Sequence, residues 1–224
     1  MKAMLKAMLK PLSAVVLSAG LVAGAHSQAP DVGLVNLLQG DVTWQSDCAQ
    51  GTKAQTYMKV RQGDRFTVPA GAQVRLVYFQ GGRQETWRGP AAFRTGMQQS
   101  DVVSGQAPQV NQLPAAVAQR IQQAPDLVQV ARLGRSGGVL VRGKKVPELT
   151  AAQRTELGTA RDTYKTLRAQ AAANDIMPEM YLYSVLQDLQ LHEEAKPVVA
   201  EMAKRQPDNA DVKAMVEYVK WRTE

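Results

Sequence analysis

LVNLLQGDVTWQ (residues 34–45) and VRQGDRFTVPAGAQVRLVYFQGGRQETWRGPAAFR (residues 60–94) decide how this chain folds. Turn residues punctuate both stretches, at Gly40-Asp41, Gly63-Asp64, Pro69-Ala70-Gly71, Gln80-Gly81-Gly82 and Gly89-Pro90. Each interval between the later glycines is about one short strand long. Inside the intervals apolar residues alternate. Val42 and Trp44 share a face, as do Phe66 and Val68, and Val74, Leu76 and Tyr78 line one side of the longest run. A helix is excluded, because glycine and proline recur too often and Val, Thr and aromatics dominate. The region from 31 to 100 therefore reads as an all-β domain.

The same residues resemble a known family. LLQGDVTW, VRQGDRFTVPAGAQVRLVYFQGG and TWRGPAAF together are similar to the FecR-type periplasmic β-domain. The likeness covers roughly sixty residues, about 33 to 96, and rests on turn positions. Two positions depart from the family pattern: Pro69-Ala70-Gly71 where Thr-Gly is commoner, and Gly81-Gly82 in place of Asp-Gly. The resemblance implies an exported domain, and it carries no catalytic residue.

The chain before this domain has the features of a secretory signal. Lys2, Lys6 and Lys10 precede an apolar run from Leu12 to Val22, and Ala23-Gly24-Ala25 supplies small residues for cleavage. Residues 1–25 are expected to be removed, leaving His26 first and placing the protein in the periplasm or outside the cell. The apolar run is shorter than the ~20 residues a membrane span needs. The duplicated MKAML leaves the initiator open among Met1, Met4 and Met8.

Removing that leader takes three lysines, so the formal charge falls from +7 to about +4. The remaining excess is local. Residues 102–149 carry six basic and two acidic groups, whereas 150–224 carry ten basic and twelve acidic. That distribution, together with export, argues against a nucleic-acid partner. Within the middle segment Arg132, Arg135, Arg142, Lys144 and Lys145 have no acid among them. They form a candidate anion patch for an envelope polymer or acidic lipid, weighed against the plainer reading of solvated side chains beside a strand. Gly134-Arg135-Ser136-Gly137-Gly138 does not make a phosphate loop, because the glycine-to-lysine spacing is wrong and Pro147 follows.

Residues 101–149 read as a linker holding a short helix and a strand. Asp101 to Gln112 is rich in Gln, Ser, Gly and Pro. Pro114 opens a helix with Val117 and Ile121 on one face, and Pro125 stops it. Asp126 to Leu133 is helical with Val130 and Leu133 inward, or extended; its length does not decide. Val139 to Val141 reads as a strand that returns to the β-domain.

From 150 to 224 the periodicity changes to helical. Thr150 and Gln153 form a capping box, and Leu157, Ala160, Tyr164, Leu167 and Ala171 fall on one face. Pro178 opens a second helix, His192 to Arg205 forms a third, and Pro207-Asp208 leads a fourth. Ala160-Tyr164-Leu167 and Ala195-Val199-Met202 share their spacing 35 residues apart, close to the ~34-residue tetratricopeptide period. LYSVLQDLQLHEEAKPVVAEMAKRQPDNADV resembles one such repeat, departing at Tyr183 and Met202. The fold class expected is thus α+β: a FecR-like β-domain, then tetratricopeptide-like hairpins with their own core of Leu182, Leu186, Val199, Met202, Met215 and Val219. Tyr181, Tyr183 and His192 are candidates for a groove that holds a protein or peptide.

No catalytic constellation emerges from the residues. One cysteine, Cys48, and two histidines, His26 and His192, are too few for a His/Cys zinc site, and Cys48 has no partner for an internal disulfide. No Gly-x-Ser-x-Gly elbow occurs. Glu85, Asp101 and Asp126 are not singled out as paired carboxylates. Trp44, Trp87 and Phe93 fit a core better than a sugar-stacking platform. The sequence reading is a non-enzymatic binding or scaffold protein of the bacterial cell envelope that needs no cofactor. A periplasmic sensor or regulator working through a membrane partner, and a cell-wall accessory subunit or binder of cell-wall polysaccharide, are the alternatives.

Overall fold

The computed structural model describes residues 29–46, 50–134 and 148–224. Its architecture is α+β, with antiparallel sheets in the N-terminal part and helices after them. The strands are β1 (Asp31–Gln39), β2 (Thr43–Gln45), β3 (Thr52–Lys53), β4 (Lys59–Arg61), β5 (Arg65–Val68), β6 (Gln73–Tyr78), β7 (Arg83–Arg88), β8 (Ala91–Thr95), β9 (Ser100–Gly105) and β10 (Gln109–Gln112). They make two five-stranded sheets, in the orders β10-β7-β6-β1-β4 and β3-β2-β5-β8-β9. The expected punctuation holds at the corners. Gly40, Gly63, Gly71, Gly81 and Gly82 all take positive φ, and a Cβ on Gly89 would run into the Pro69 carbonyl.

Between the sheets lies a core of Val35, Val42, Val60, Phe66, Val68, Val74, Leu76, Trp87 and Phe93. Trp87 is wholly buried and stacks on Phe93 at 4.2 Å between centroids, and Phe93 stacks on Phe66 at 5.0 Å. The expectation that these aromatics are core is met for Trp87 and Phe93; Trp44 is half-buried at the margin. One ionisable side chain enters this apolar layer. Glu85 is fully buried and accepts from Arg83 Nε (2.6 Å), Trp87 Nε1 (3.3 Å) and the backbone N–H of Ser100 (3.2 Å). The last bond ties β7 of one sheet to β9 of the other.

Strand β1 is buried on both faces, which simple alternation does not predict. A register shift between Val35 and Leu37 leaves Val35 and Leu38 toward the sandwich core. Leu34, paired with Val77, faces outward, and that outer face is covered by helices. Leu34, Tyr57 and Val77 belong to one apolar cluster with Val117, Ile121, Met180, Tyr183, Met215 and Val219.

The helices are α1 (Ala115–Ile121), α2 (Ala124–Gly134), α3 (Ala151–Gln170), α4 (Met177–Asp188), α5 (His192–Arg205) and α6 (Ala210–Thr223). The capping box of Thr150 and Gln153 forms as its sequence implies. Ala160, Leu167, Ala195, Val199 and Met202 are buried on the expected faces. Helix α4 is buried all round from Met177 to Leu186, because α1, α3 and α5 pack on it. Among the described residues no helix is long and apolar enough to cross a membrane.

Three expectations about the middle segment are corrected. Residues 101–112 are not a linker: β9 pairs with β8 and β10 pairs with β7, so this stretch supplies the last strand of each sheet. Its Gln- and Ser-rich composition reflects exposure, since both strands are terminal among the described residues. Pro125 does not merely stop a helix; it sits in the first turn of α2, where a missing N–H costs nothing. The inward face of α2 is Ala124, Val128 and Ala131, while Val130 and Leu133 are exposed. Small residues lie inward because α2 packs closely against α6. The separate helical core is corrected too. Its residues are buried, but they share one cluster with the outer face of the β6 sheet. The strand expected at 139–141, the leader at 1–25 and Cys48 lie outside the described residues.

Candidate functional site

Beyond Glu85, a second cluster of buried charge runs from the outer face of the sandwich into the helices. Arg75, on the outer face of β6, reaches Asp175 at 2.6 Å and donates to Asn36 Oδ1 (3.3 Å). Asp175 caps the start of α4 by accepting from the Met177 N–H (2.9 Å). One turn on, Glu179 is fully buried and accepts from Arg168 of α3 (3.1 Å), Arg205 of α5 (3.2 Å) and the Tyr164 hydroxyl (3.3 Å). Tyr57 closes the junction from the sheet side, with φ +62° and a buried hydroxyl. Burial, reinforced by Asp175, raises that hydroxyl's pKa far above the usual phenol range. Each acid here has a cation, so the cluster is a clasp that ties the sheet to α4 and α4 to its neighbouring helices.

Breaking that clasp has a definite expected cost. Arg75→Ala leaves the Asp175 carboxylate buried with only its backbone donor, and unfolding free energy should fall by about 2–4 kcal/mol. Urea titration of wild type and variant checks this. A change within ~0.5 kcal/mol would show that the pair contributes nothing to the joint.

The predicted site residues are not brought together. Arg132 donates to Asp211 (2.7 Å), so its charge is used within the α2–α6 contact. Arg135, Arg142, Lys144 and Lys145, the rest of the anion patch, lie outside the described residues. Tyr181 and Tyr183 do not share a groove, because residues two apart on a helix point about 200° from each other. Tyr183 is buried, and its hydroxyl pKa is pushed above the usual range by that burial. Tyr181 lies instead at the floor of a cleft of about 550 Å³ between α1, α3 and α4, with Val185, Ala160 and Ala116. The rim of that cleft is already bridged by Arg120, which pairs with both Glu156 and Asp188. His192 is half-buried and bonded through Nε2 to Arg222 (2.8 Å); burial first, and that guanidinium second, lower its pKa.

The feature that sequence reasoning missed is the sandwich edge made by β9 and β10. Large exposed apolar residues concentrate there: Val102 and Val103 on β9, Val110 on β10, and Met97 in the turn before β9. The opposite edges of the two sheets are guarded by Lys53 on β3 and by Lys59 and Arg61 on β4. The β9–β10 side has one charge, Asp101, and no lysine or arginine in either strand. Among the described residues, 101–104 make no backbone hydrogen bond except to β8.

Register shows what this edge exposes. Val102 stands opposite Phe93, and Val110 stands opposite Glu85, so both lie on rows that face the sandwich interior. Phe93 and Glu85 are fully buried, yet Val102 is 49 % and Val110 41 % exposed. Each sheet therefore ends in a partly exposed valine, one strand beyond the buried core. Asp101 lies in the outward row, beside Arg94.

Among the described residues no group of three or more His, Cys, Asp or Glu is placed to hold a metal ion. No protein-family model matches the chain, and no curated protein or solved structure is significantly similar to it.

Proposed function

We propose that this is an exported, non-enzymatic binding or scaffold protein of the bacterial cell envelope, of the FecR-domain type, that engages another protein through its β9–β10 edge. The observation carrying this reading is that edge: among the described residues, a terminal strand without lysine or arginine that bears exposed valines. The tetratricopeptide-like helices serve as its brace, because their apolar faces are consumed against one another and against the sheet. Export is supported by the lysine-led apolar leader and the Ala-Gly-Ala cleavage signal. N-terminal sequencing of the mature protein should begin at His26; an intact Met1 or cytoplasmic retention would overturn export.

Binding is tested with an envelope extract passed over immobilised wild type and Val102→Lys, alongside sedimentation with purified cell-wall polymer. Protein captured by wild type and lost with the variant, without polymer retention, is the expected result. Polymer retention that ignores Val102→Lys would transfer the function to the polysaccharide reading.

A further inference from the structure

We infer that the β9 edge accepts an extended strand from a partner protein, one that places a basic side chain opposite Asp101 and an apolar side chain against Val102. This rests on the reading of that edge as the binding site. Three features specify the occupant.

The first is shape. An incoming strand that continues the β9 ladder must alternate its side chains between the two faces of the sheet. On the inward face they meet Val102, which continues the row of Phe93, so apolar groups are favoured there. On the outward face they meet Asp101 and, beyond the bulge at Val103, Ser104.

The second is charge. Asp101 is exposed and makes no ion pair among the described residues, whereas the acids at the other sheet ends, Asp31 and Asp41, are paired with Arg61 and Lys53. Arg94 flanks Asp101 on the β8 side, and a Lys or Arg on the incoming strand flanks it from the open side. A carboxylate there would stand opposite a like charge.

The third is size, which separates a strand-like segment from a second copy of this chain. Six residues of β9 span about 20 Å. One such strand pair falls short of the ~800 Å² per partner that a stable dimer buries. An antiparallel self-pair centred on Val102 would also set each Asp101 against Val103 of the other copy, so neither acid would meet a cation across the new pairing. A short segment held by main-chain bonds and one or two pockets is the mode that fits.

The test uses the full chain and three synthetic eight-residue peptides. One alternates valine with threonine and lysine, the second carries glutamate for lysine, and the third has N-methyl groups on the ladder-forming amides. Affinity is read by fluorescence anisotropy, and the site by hydrogen exchange. The lysine peptide should bind and protect the amides of 101–104. The glutamate peptide should bind about fivefold more weakly, and the N-methyl peptide should not bind. Asp101→Lys, at an exposed position, should reverse the preference between lysine and glutamate.

Equal affinity for lysine and glutamate peptides, unchanged by Asp101→Lys, would overturn the basic partner while leaving the edge as the site. No protection of 101–104 by any peptide, with protein capture insensitive to Val102→Lys, would overturn the edge itself. Protection that rises with protein concentration alone, with doubling of the mass in sedimentation, would assign the edge to a second copy and overturn the inference.

Discussion

Met215→Asp should unfold the whole protein in a single step. Met215 is fully enclosed on α6, in the cluster that also holds Leu34 and Val77 of the sandwich. A carboxylate there loses its water, and Asp211, one turn earlier on the same helix, adds a like charge. The expected loss is about 4–5 kcal/mol or more, comparable to the entire stability of a marginal domain. The shape of the transition is as informative as its position. If the helices formed an independent repeat array, damage would stop at the array and the sandwich would melt unchanged. Because α1, α4 and α6 share a core with the outer face of β1 and β6, one transition should move as a whole. It is checked by following far-ultraviolet circular dichroism and tryptophan fluorescence in the same urea titration; two separated transitions, with one unmoved, would refute the shared core.

Trp87→Ala should cost about 3–5 kcal/mol. The indole fills the centre of the sandwich, stacked on Phe93 and opposite Val74 on β6. Its removal leaves a cavity lined by strands that cannot collapse, since both sheets are pinned by their ladders. It also removes a donor from Glu85, which then keeps Arg83 and the Ser100 N–H. Calorimetry of the variant should show this loss in the same single transition that Met215→Asp shifts. A melting temperature within a degree or two of wild type would contradict the burial of Trp87.

Much of this was legible beforehand because it depends on near neighbours in the chain. The glycine corners from Gly40 to Gly89 set where strands turn, and the alternation of Val74 and Leu76 set which way they face. The capping box at Thr150 and the three-four spacing of Leu157, Ala160 and Leu167 set the start and inward face of α3. These are local matters of φ, hydrogen-bond reach and side-chain period, and they suffice for an α+β chain with sheets first.

What lay beyond the sequence is what depends on distant partners. Residues 101–112 look like a linker because terminal strands need no apolar face; only pairing with β8 and β7 makes them strands. Val130 and Leu133 have helical spacing on α2, yet the close approach of α6 selects the smaller face of Ala124, Val128 and Ala131. Arg75 and Asp175, a hundred residues apart, carry no sign of each other until β6 and α4 are laid together. The β9–β10 edge follows the same rule. Exposed valines, and an acid with no ion pair among the described residues, are properties of where two sheets end, and the order of strands within a sheet is settled by long-range packing.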